Sequence, residues 1–140
     1  MITVKTIRVV AAVLCDSLEQ PTSILATARG YGDFKGRWEF PGGKLEPGET
    51  ARQALVREIG EELGVLVEIG DFIGTVEYGY PDFHLRMDCF WCRVAQGTIV
   101  LKEAEAAKWL SKDELYSVDW LPADVTLIDR LAARMDGRQA

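Results

Sequence analysis

The alternation of apolar and polar residues predicts five strands along the chain. Runs rich in β-branched and aromatic residues, separated by segments that carry Gly, Pro and Asp, are typical of strands joined by turns. The run from Val9 to Cys15 is apolar at every position, which indicates a buried first strand. The predicted strands are Thr3–Cys15, Ser23–Ala28, Val65–Tyr78, Leu85–Val94 and the short Lys108–Leu110.

One long helix is predicted in the middle of the chain, from Ala51 to Leu63. Thr50 and Gln53 have the spacing of a capping box, in which each side chain bonds the backbone N–H of the other residue. Gly64 follows the helix where a left-handed residue commonly ends it. Both ends of this helix are therefore specified by local sequence.

Two further helices are predicted near the C-terminus. Ser111 and Glu114 form a second capping box before a short helix, and Asp124 has the position of an N-cap for a helix over Val125–Met135. Many strands with a few helices predict an α+β fold in which helices pack on a mixed sheet. The length favours one domain, residues 1–140.

Composition and charge narrow the possible partners. A formal net charge of −6 without a basic stripe argues against binding a nucleic acid polymer or an anionic membrane. No apolar run approaches the length of a membrane span. A nucleotide substrate remains compatible, because divalent cations bound to clustered acids invert the local charge. An odd number of cysteines suits a reducing compartment, so we expect a cytoplasmic protein.

Cys89 and Cys92 have C-x-x-C spacing, but they lie within a predicted strand. Residues three apart in a strand point to opposite faces, so the two thiols do not converge on one metal ion. Together with Cys15 they are expected to be ordinary buried thiols.

The predicted central helix carries acidic residues that are costly without a ligand. Glu58, Glu61 and Glu62 are spaced i, i+3 and i+4, so their carboxylates share one face. Two carboxylates about 5 Å apart repel by roughly 3 kcal/mol at an effective dielectric of 20. Such a triplet alone is usually a solvated helix face. Mg²⁺ makes the cluster favourable, because it prefers oxygen ligands and is commonly shared with phosphates.

A longer pattern around this helix decides between these two interpretations. It fixes nine positions within residues 43–65, and the chain resembles the Nudix family at all of them. Weaker likeness to the MutT-type triphosphate pyrophosphohydrolases of that family extends over nearly the whole chain. The nine residues of this Nudix box are Gly43, Glu49, Arg57, Glu58, Ile59, Glu61, Glu62, Gly64 and Val65.

The resemblance implies a Nudix α/β/α sandwich in which the box forms a loop–helix–loop that binds Mg²⁺ or Mn²⁺. It implies metal ligands at Glu58 and Glu62, assisted by Glu61 and by the Gly42 carbonyl. Glu103 would complete the metal site and help to activate water; the alternative is an exposed loop acid.

Other box residues would have supporting roles. Arg57 would orient the glutamate that follows it, and Glu49 would hold the loop against the helix. Gly43 and Gly64 would support the box structurally.

Outside the box, the resemblance implies four substrate-binding residues: Arg29, Phe40, Tyr80 and Asp124. Arg29 would contact the nucleotide through its forked donors, and Tyr80 would stack on the base. Asp124 stands where the enzyme that removes 8-oxo-dGTP carries Asn. An ionised Asp only accepts hydrogen bonds, so it favours a base edge rich in N–H donors, such as the amino group of cytosine.

The activity implied is Mg²⁺-dependent hydrolysis of a nucleoside triphosphate to the monophosphate and pyrophosphate, with attack at the β-phosphorus. The substrate would be of the CTP or dCTP type or an oxidised nucleotide, and the role would be sanitising the nucleotide pool. The open alternatives are another diphosphate substrate, such as ADP-ribose or a dinucleoside polyphosphate, and a non-catalytic nucleotide-binding module. The expected assembly is a monomer or homodimer.

Overall fold

The structure, a computed structural model, describes residues 4–136, so Thr3 and the two ends of the predicted domain lie outside the described residues. The described chain forms seven strands, two α-helices and a short 3₁₀ helix over Lys112–Glu114. The strands are β1 Lys5–Leu14, β2 Ser23–Ala28, β3 Trp38–Glu39, β4 Gly42–Lys44, β5 Leu66–Gly79, β6 Phe83–Gln96 and β7 Ala106–Ser111, and the helices are α1 Ala51–Leu63 and α2 Pro122–Met135.

The strands form two sheets. The larger has the order β4-β1-β6-β5, with β1 and β6 parallel and the other neighbours antiparallel. It confirms the expected mixed sheet. The smaller sheet is antiparallel, in the order β3-β2-β7, and was not predicted as a separate unit.

The second half of β1, from Val10 to Leu14, is buried on both faces and separates two apolar cores. Val10, Ala12 and Leu14 lie in the core that contains the buried residues of α1. Ala11 and Val13 lie in the core that contains the buried residues of α2. Helices therefore cover both sides of the sheets, which is the predicted α/β/α sandwich.

The cysteines have the buried environments that the sequence predicts. Cys89 lies in the core beside α2 and Cys92 in the core beside α1, as alternation along β6 requires. All three cysteines are free and buried, and burial raises the pKa of Cys89 and of Cys92 to about 12.

Helix α1 begins and ends at the predicted residues. Thr50 and Gln53 form the reciprocal capping box, and Gly64 adopts the left-handed conformation at φ 69°. Its buried residues are Ala54, Leu55, Ile59 and Leu63.

Helix α2 begins earlier than predicted, and the assignment of Asp124 as its N-cap is wrong. The helix starts at Pro122, and Leu121 is the N-cap. Proline suits this first position because its missing N–H would have no partner in the first turn. Asp124 therefore lies inside the first turn, where it is only 4% exposed.

Strands β3 and β4 were not predicted, because they are short and one contains two glycines. Tertiary pairing defines them: Thr27 pairs with Glu39, and Ala11 pairs with Gly42. Strand β3 belongs to the smaller sheet, and β4, which carries the start of the Nudix box, belongs to the larger one. None of the helices within residues 4–136 is both long and apolar enough to cross a membrane.

Candidate active site

Arg57 connects the carboxylates at the start of the predicted metal site. Its Nε and Nη2 donate to the two Glu49 oxygens at 2.7 and 2.8 Å. Its Nη1 donates to Glu58 Oε1 at 3.0 Å and lies 3.3 Å from Glu61 Oε2. Nη2 also donates to the Lys44 carbonyl at 3.0 Å. One guanidinium thus ties the loop to the helix and fixes the Glu58 carboxylate.

The acids of this region differ in pKa because their surroundings differ. Hydrogen bonds from Arg57 lower the pKa of Glu49 to about 2, so it is ionised at neutral pH. Burial raises the pKa of Glu62 to about 8, with further upward contributions from the charges of Glu58 and Glu103. Burial also raises the pKa of Glu58, against the effect of Arg57. A cation beside Glu58 and Glu62 would favour their ionised forms.

Two glycines allow the strand β4 backbone to approach its neighbours closely. A Cβ on Gly42 would lie 1.9 Å from the Val10 carbonyl oxygen, and a Cβ on Gly43 would lie 2.4 Å from the Glu58 carboxyl carbon. Neither contact is possible, since real Cβ atoms do not come closer than about 3 Å to other heavy atoms. Glycine at position 43 is what lets Glu58 lie against the main chain.

Backbone hydrogen bonds hold the loop that carries Glu103. The Val100 amide donates to the Leu63 carbonyl at 2.9 Å, and the Lys102 amide donates to the Glu62 carbonyl at 3.2 Å. These carbonyls at the end of α1 have no partner within the helix. The loop therefore runs past the helix end, and Glu103 and Glu62 line the same cleft of about 550 Å³. We call it the acidic cleft.

The carboxylates in and beside the acidic cleft fit a hard divalent cation. They are Glu58, Glu62 and Glu103, and burial together with neighbouring acid charges raises the pKa of the first two. Within residues 4–136, however, no three acidic, histidine or cysteine side chains already surround one point at metal-binding distance. Glu58 and Glu61 form ion pairs with Arg57 instead. Mg²⁺ does not need a finished protein cage, since it keeps several waters and binds substrate phosphates.

A second cavity of about 180 Å³ adjoins the acidic cleft, and we call it the apolar pocket. Five segments form it: the middle of β1, the loop after β2, the stretch from β3 to β4, the turn between β5 and β6 with the start of β6, and the start of α2. Its side chains include Arg29, Phe34, Glu39, Phe40, Tyr80, Phe83, Leu85, Met87, Leu121 and Asp124. All four predicted substrate-binding residues line this pocket.

The structure gives Arg29 a different partner from the predicted phosphate. Its Nε donates to Glu39 Oε2 at 3.1 Å and its Nη2 donates to Glu39 Oε1 at 2.8 Å. Its Nη1 donates to the Asp33 carbonyl at 3.2 Å. The fork is therefore occupied by a carboxylate of the protein. Glu39 lines both cavities but was not predicted as a site residue. Its only signal in the sequence is its position directly before Phe40.

The surroundings of Asp124 favour its protonated form over the ionised carboxylate expected from the sequence. Burial raises its pKa well above the ordinary value, the nearby Glu39 charge raises it further, and Arg29 opposes these effects. A protonated carboxyl donates one hydrogen bond and accepts others, as a side-chain amide does.

The two predicted aromatic residues of the pocket pack against different partners. Phe40 is only 5% exposed and stacks on Trp120 with ring centroids 4.7 Å apart. Tyr80 stacks on Phe83 at 5.1 Å, and its hydroxyl accepts a hydrogen bond from the Ala123 amide at 3.4 Å. The latter contact fixes the Tyr80 ring to the start of α2.

Comparison with known proteins identifies the family. Residues 5–132 match the family model described as the NUDIX domain. The chain belongs to the Nudix family. It is 34% identical over 137 residues to the CTP pyrophosphohydrolase of Escherichia coli K12, covering 97% of this chain and 98% of that protein. It is 37% identical over 93 residues to the 8-oxo-dGTP diphosphatase of the same strain, covering 66% and 72%.

A solved structure gives the same result for the Nudix fold. The solution structure of the E. coli ORF135 protein matches with a TM-score of 0.80 and 34% identity, covering 98% of this chain and 96% of that one. The protein is a Nudix hydrolase close to the CTP pyrophosphohydrolase and the 8-oxo-dGTP diphosphatases. The predicted family, fold and enzyme class are confirmed.

Proposed function

We propose that this Nudix hydrolase cleaves a nucleoside triphosphate to the monophosphate and pyrophosphate, using Mg²⁺ or in its place Mn²⁺. The observation that supports this most is the junction of two cavities. An acidic cleft lined by Glu62 and Glu103 adjoins an apolar pocket, and they share the Gly42–Gly43 backbone. A triphosphate with its cations fits the first cavity and a base fits the second.

In this proposal Glu58 and Glu62 are the main metal ligands, assisted by Glu61, Glu103 and the Gly42 carbonyl. The bound cation would polarise the phosphoryl oxygens and lower the pKa of water. Glu58 or Glu103 would accept the proton from the attacking water. Arg57 holds Glu58 in position through its 3.0 Å hydrogen bond.

The Asp124 carboxyl would read the edge of the base. As a neutral acid it donates to N3 of cytosine and accepts from the N4 amino group, so both bonds are satisfied. Oxidised guanine offers an O6 acceptor beside an N1–H donor, which the same acid matches. We therefore propose a CTP or dCTP-type substrate first and an oxidised guanine nucleotide second, with a role in sanitising the nucleotide pool.

The test is turnover of the Glu58→Gln variant with Mg²⁺ on CTP, dCTP, 5-methyl-dCTP and 8-oxo-dGTP. We expect an unchanged melting temperature and a kcat lower by about 10²- to 10⁴-fold, the range for losing a positioned base. Glu68→Gln is the matched control, because Glu68 is half-exposed and pairs with Arg93 on the surface. Wild-type activity in Glu58→Gln would refute this assignment.

We further propose a cytoplasmic location and a monomeric or homodimeric state. Three free, buried thiols support a reducing compartment. Sedimentation equilibrium of the purified protein distinguishes the two oligomeric states.

A further inference from the structure

Phe34, in the loop between β2 and β3, has an unusual backbone conformation. Among residues 4–136 it is the one non-glycine residue with positive φ, at 65°. A bulky residue is disfavoured in the left-handed region because its Cβ crowds the following carbonyl. Outliers of this kind persist where the surrounding structure enforces them, and they are enriched at ligand sites.

Several hydrogen bonds enforce the conformation of this loop. The Gly36 amide donates to the Arg29 carbonyl at 2.8 Å, and the Arg29 amide donates to the Arg37 carbonyl at 2.9 Å. The Arg37 amide donates to the Phe34 carbonyl at 2.9 Å. The Arg29 side chain adds its bond to the Asp33 carbonyl. The loop is closed at its base, and Phe34 is presented at its tip.

Core packing does not explain why a phenylalanine is held there. The residue remains 41% exposed and lies outside both apolar cores. Its ring contacts Tyr80, with centroids 5.7 Å apart and planes tilted by 58°. It also lines the apolar pocket that contains Asp124. A partly exposed ring beside a pocket has free surface for a ligand.

We propose that Phe34 is a substrate-binding residue whose ring packs on the base of the bound nucleotide at the mouth of the apolar pocket. This inference rests on the proposed function, in which that pocket holds the base. An aromatic ring stacks on every base, because each base has a π-face. Phe34 therefore contributes affinity for any base, and discrimination between bases remains with the groups that read the edge.

The test uses Phe34→Asn, because asparagine tolerates the left-handed conformation better than most residues. Lys35→Ala is the control: it is exposed, in the same loop, and lines neither cavity. We expect KM to rise by about 5- to 100-fold for both CTP and 8-oxo-dGTP, with kcat little changed. Methyl triphosphate, which has no base, should be hydrolysed at the wild-type rate, and the melting temperature should not fall.

Calorimetric titration with CMP separates this inference from the proposed function. Weaker CMP binding by Phe34→Asn, with wild-type binding by Lys35→Ala, supports the assignment even if no triphosphate is turned over. Equal CMP affinity in Phe34→Asn and wild type would overturn it. So would an equal loss on CTP and methyl triphosphate with a lowered melting temperature, since that is a structural defect. Wild-type protein that binds neither CMP nor GMP would overturn both proposals.

Discussion

The proposed metal site and the apolar pocket are built in different ways. Four of the five proposed metal ligands, Gly42, Glu58, Glu61 and Glu62, come from residues 42–62, a single stretch in which a strand, a loop and a helix follow one another. The pocket is lined by segments between Val9 and Asp124 that are distant in sequence and meet only in the folded chain. The proposed chemistry is therefore specified mainly by local sequence, whereas binding of the base depends on tertiary assembly.

The proposed metal site and the pocket also differ in charge. At the metal site, burial and then the charge of Glu58 raise the pKa of Glu62, and a bound cation would oppose both effects. In the pocket, Arg29 and Glu39 form an ion pair, and burial raises the pKa of Asp124 well above its ordinary value. A base is uncharged, so a neutral lining does not penalise its burial.

The largest loss of activity among these substitutions is expected at the proposed metal site. Replacing Arg57 with Met removes the contacts to Glu49, Glu58 and Glu61, so the Glu58 carboxylate loses its fixed orientation. Groups that orient metal ligands are typically worth about 10- to 100-fold in activity, and we expect a loss of that size in kcat. Arg52→Met is the control on the same helix, because its guanidinium lies over the Phe90 ring instead. Equal activities in the two variants would contradict the role of Arg57.

The next prediction is a loss of kcat/KM from a substitution in the apolar pocket. In Asp124→Leu the base edge loses its partner, and an unsatisfied buried polar group costs about 1–3 kcal/mol. We expect kcat/KM for CTP to fall by about 10- to 100-fold, with hydrolysis of methyl triphosphate unchanged. Asp124→Asn should keep most activity, because the amide also donates and accepts. A loss in Asp124→Asn as severe as in Asp124→Leu would show that the pocket does not use a neutral acid.

A smaller effect tests whether Arg29 supports the pocket rather than holding phosphate. In Arg29→Met, Glu39 loses its partner beside Asp124, and we expect the free energy of unfolding to drop by about 1 kcal/mol, since the pair is partly exposed. The double variant Arg29→Met/Glu39→Gln should recover most of that loss. Urea unfolding of the wild type, the two single variants Arg29→Met and Glu39→Gln, and the double variant measures this coupling. Additive losses, together with a raised KM for methyl triphosphate, would instead favour phosphate binding.

A further prediction is a pH-dependent gain in stability in Asp124→Asn. Below about pH 3.8, the ordinary aspartate value, the folded and unfolded wild-type proteins both carry this proton. As pH rises further, the unfolded state releases it while the folded state retains it, so wild-type stability falls. The variant has no such proton, so its advantage should grow as pH rises above about 3.8. A difference in urea midpoint that does not vary with pH would contradict a raised pKa.

The sequence predicted the cleft better than the pocket for physical reasons. The ends of α1 depend on Thr50, Gln53 and Gly64, which act within one turn, so its bounds were predicted correctly. Strand β6 was predicted four residues too short, because only pairing with β5 extends it. Strand β3 could not be predicted, since two residues become a strand only beside β2.

The pocket residues show the same limit. Asp124 was assigned as a helix cap because Asp is a common N-cap, although Pro122 also fits the first position of a helix. Its raised pKa depends on burial and on the charge of Glu39, 85 positions earlier in the sequence. Phe34 carried no signal in the sequence, because its strained backbone and its ring contact both arise from folding.

The loop beside the end of α1 is attached by its own amides, and this leaves its side chains free to vary. Val100 and Lys102 are held through backbone N–H groups, which every residue except proline possesses. A combinatorial library that randomises positions 100–102 without proline should therefore keep Glu103 in place. The loop is a site where new surface properties can be engineered without disturbing turnover.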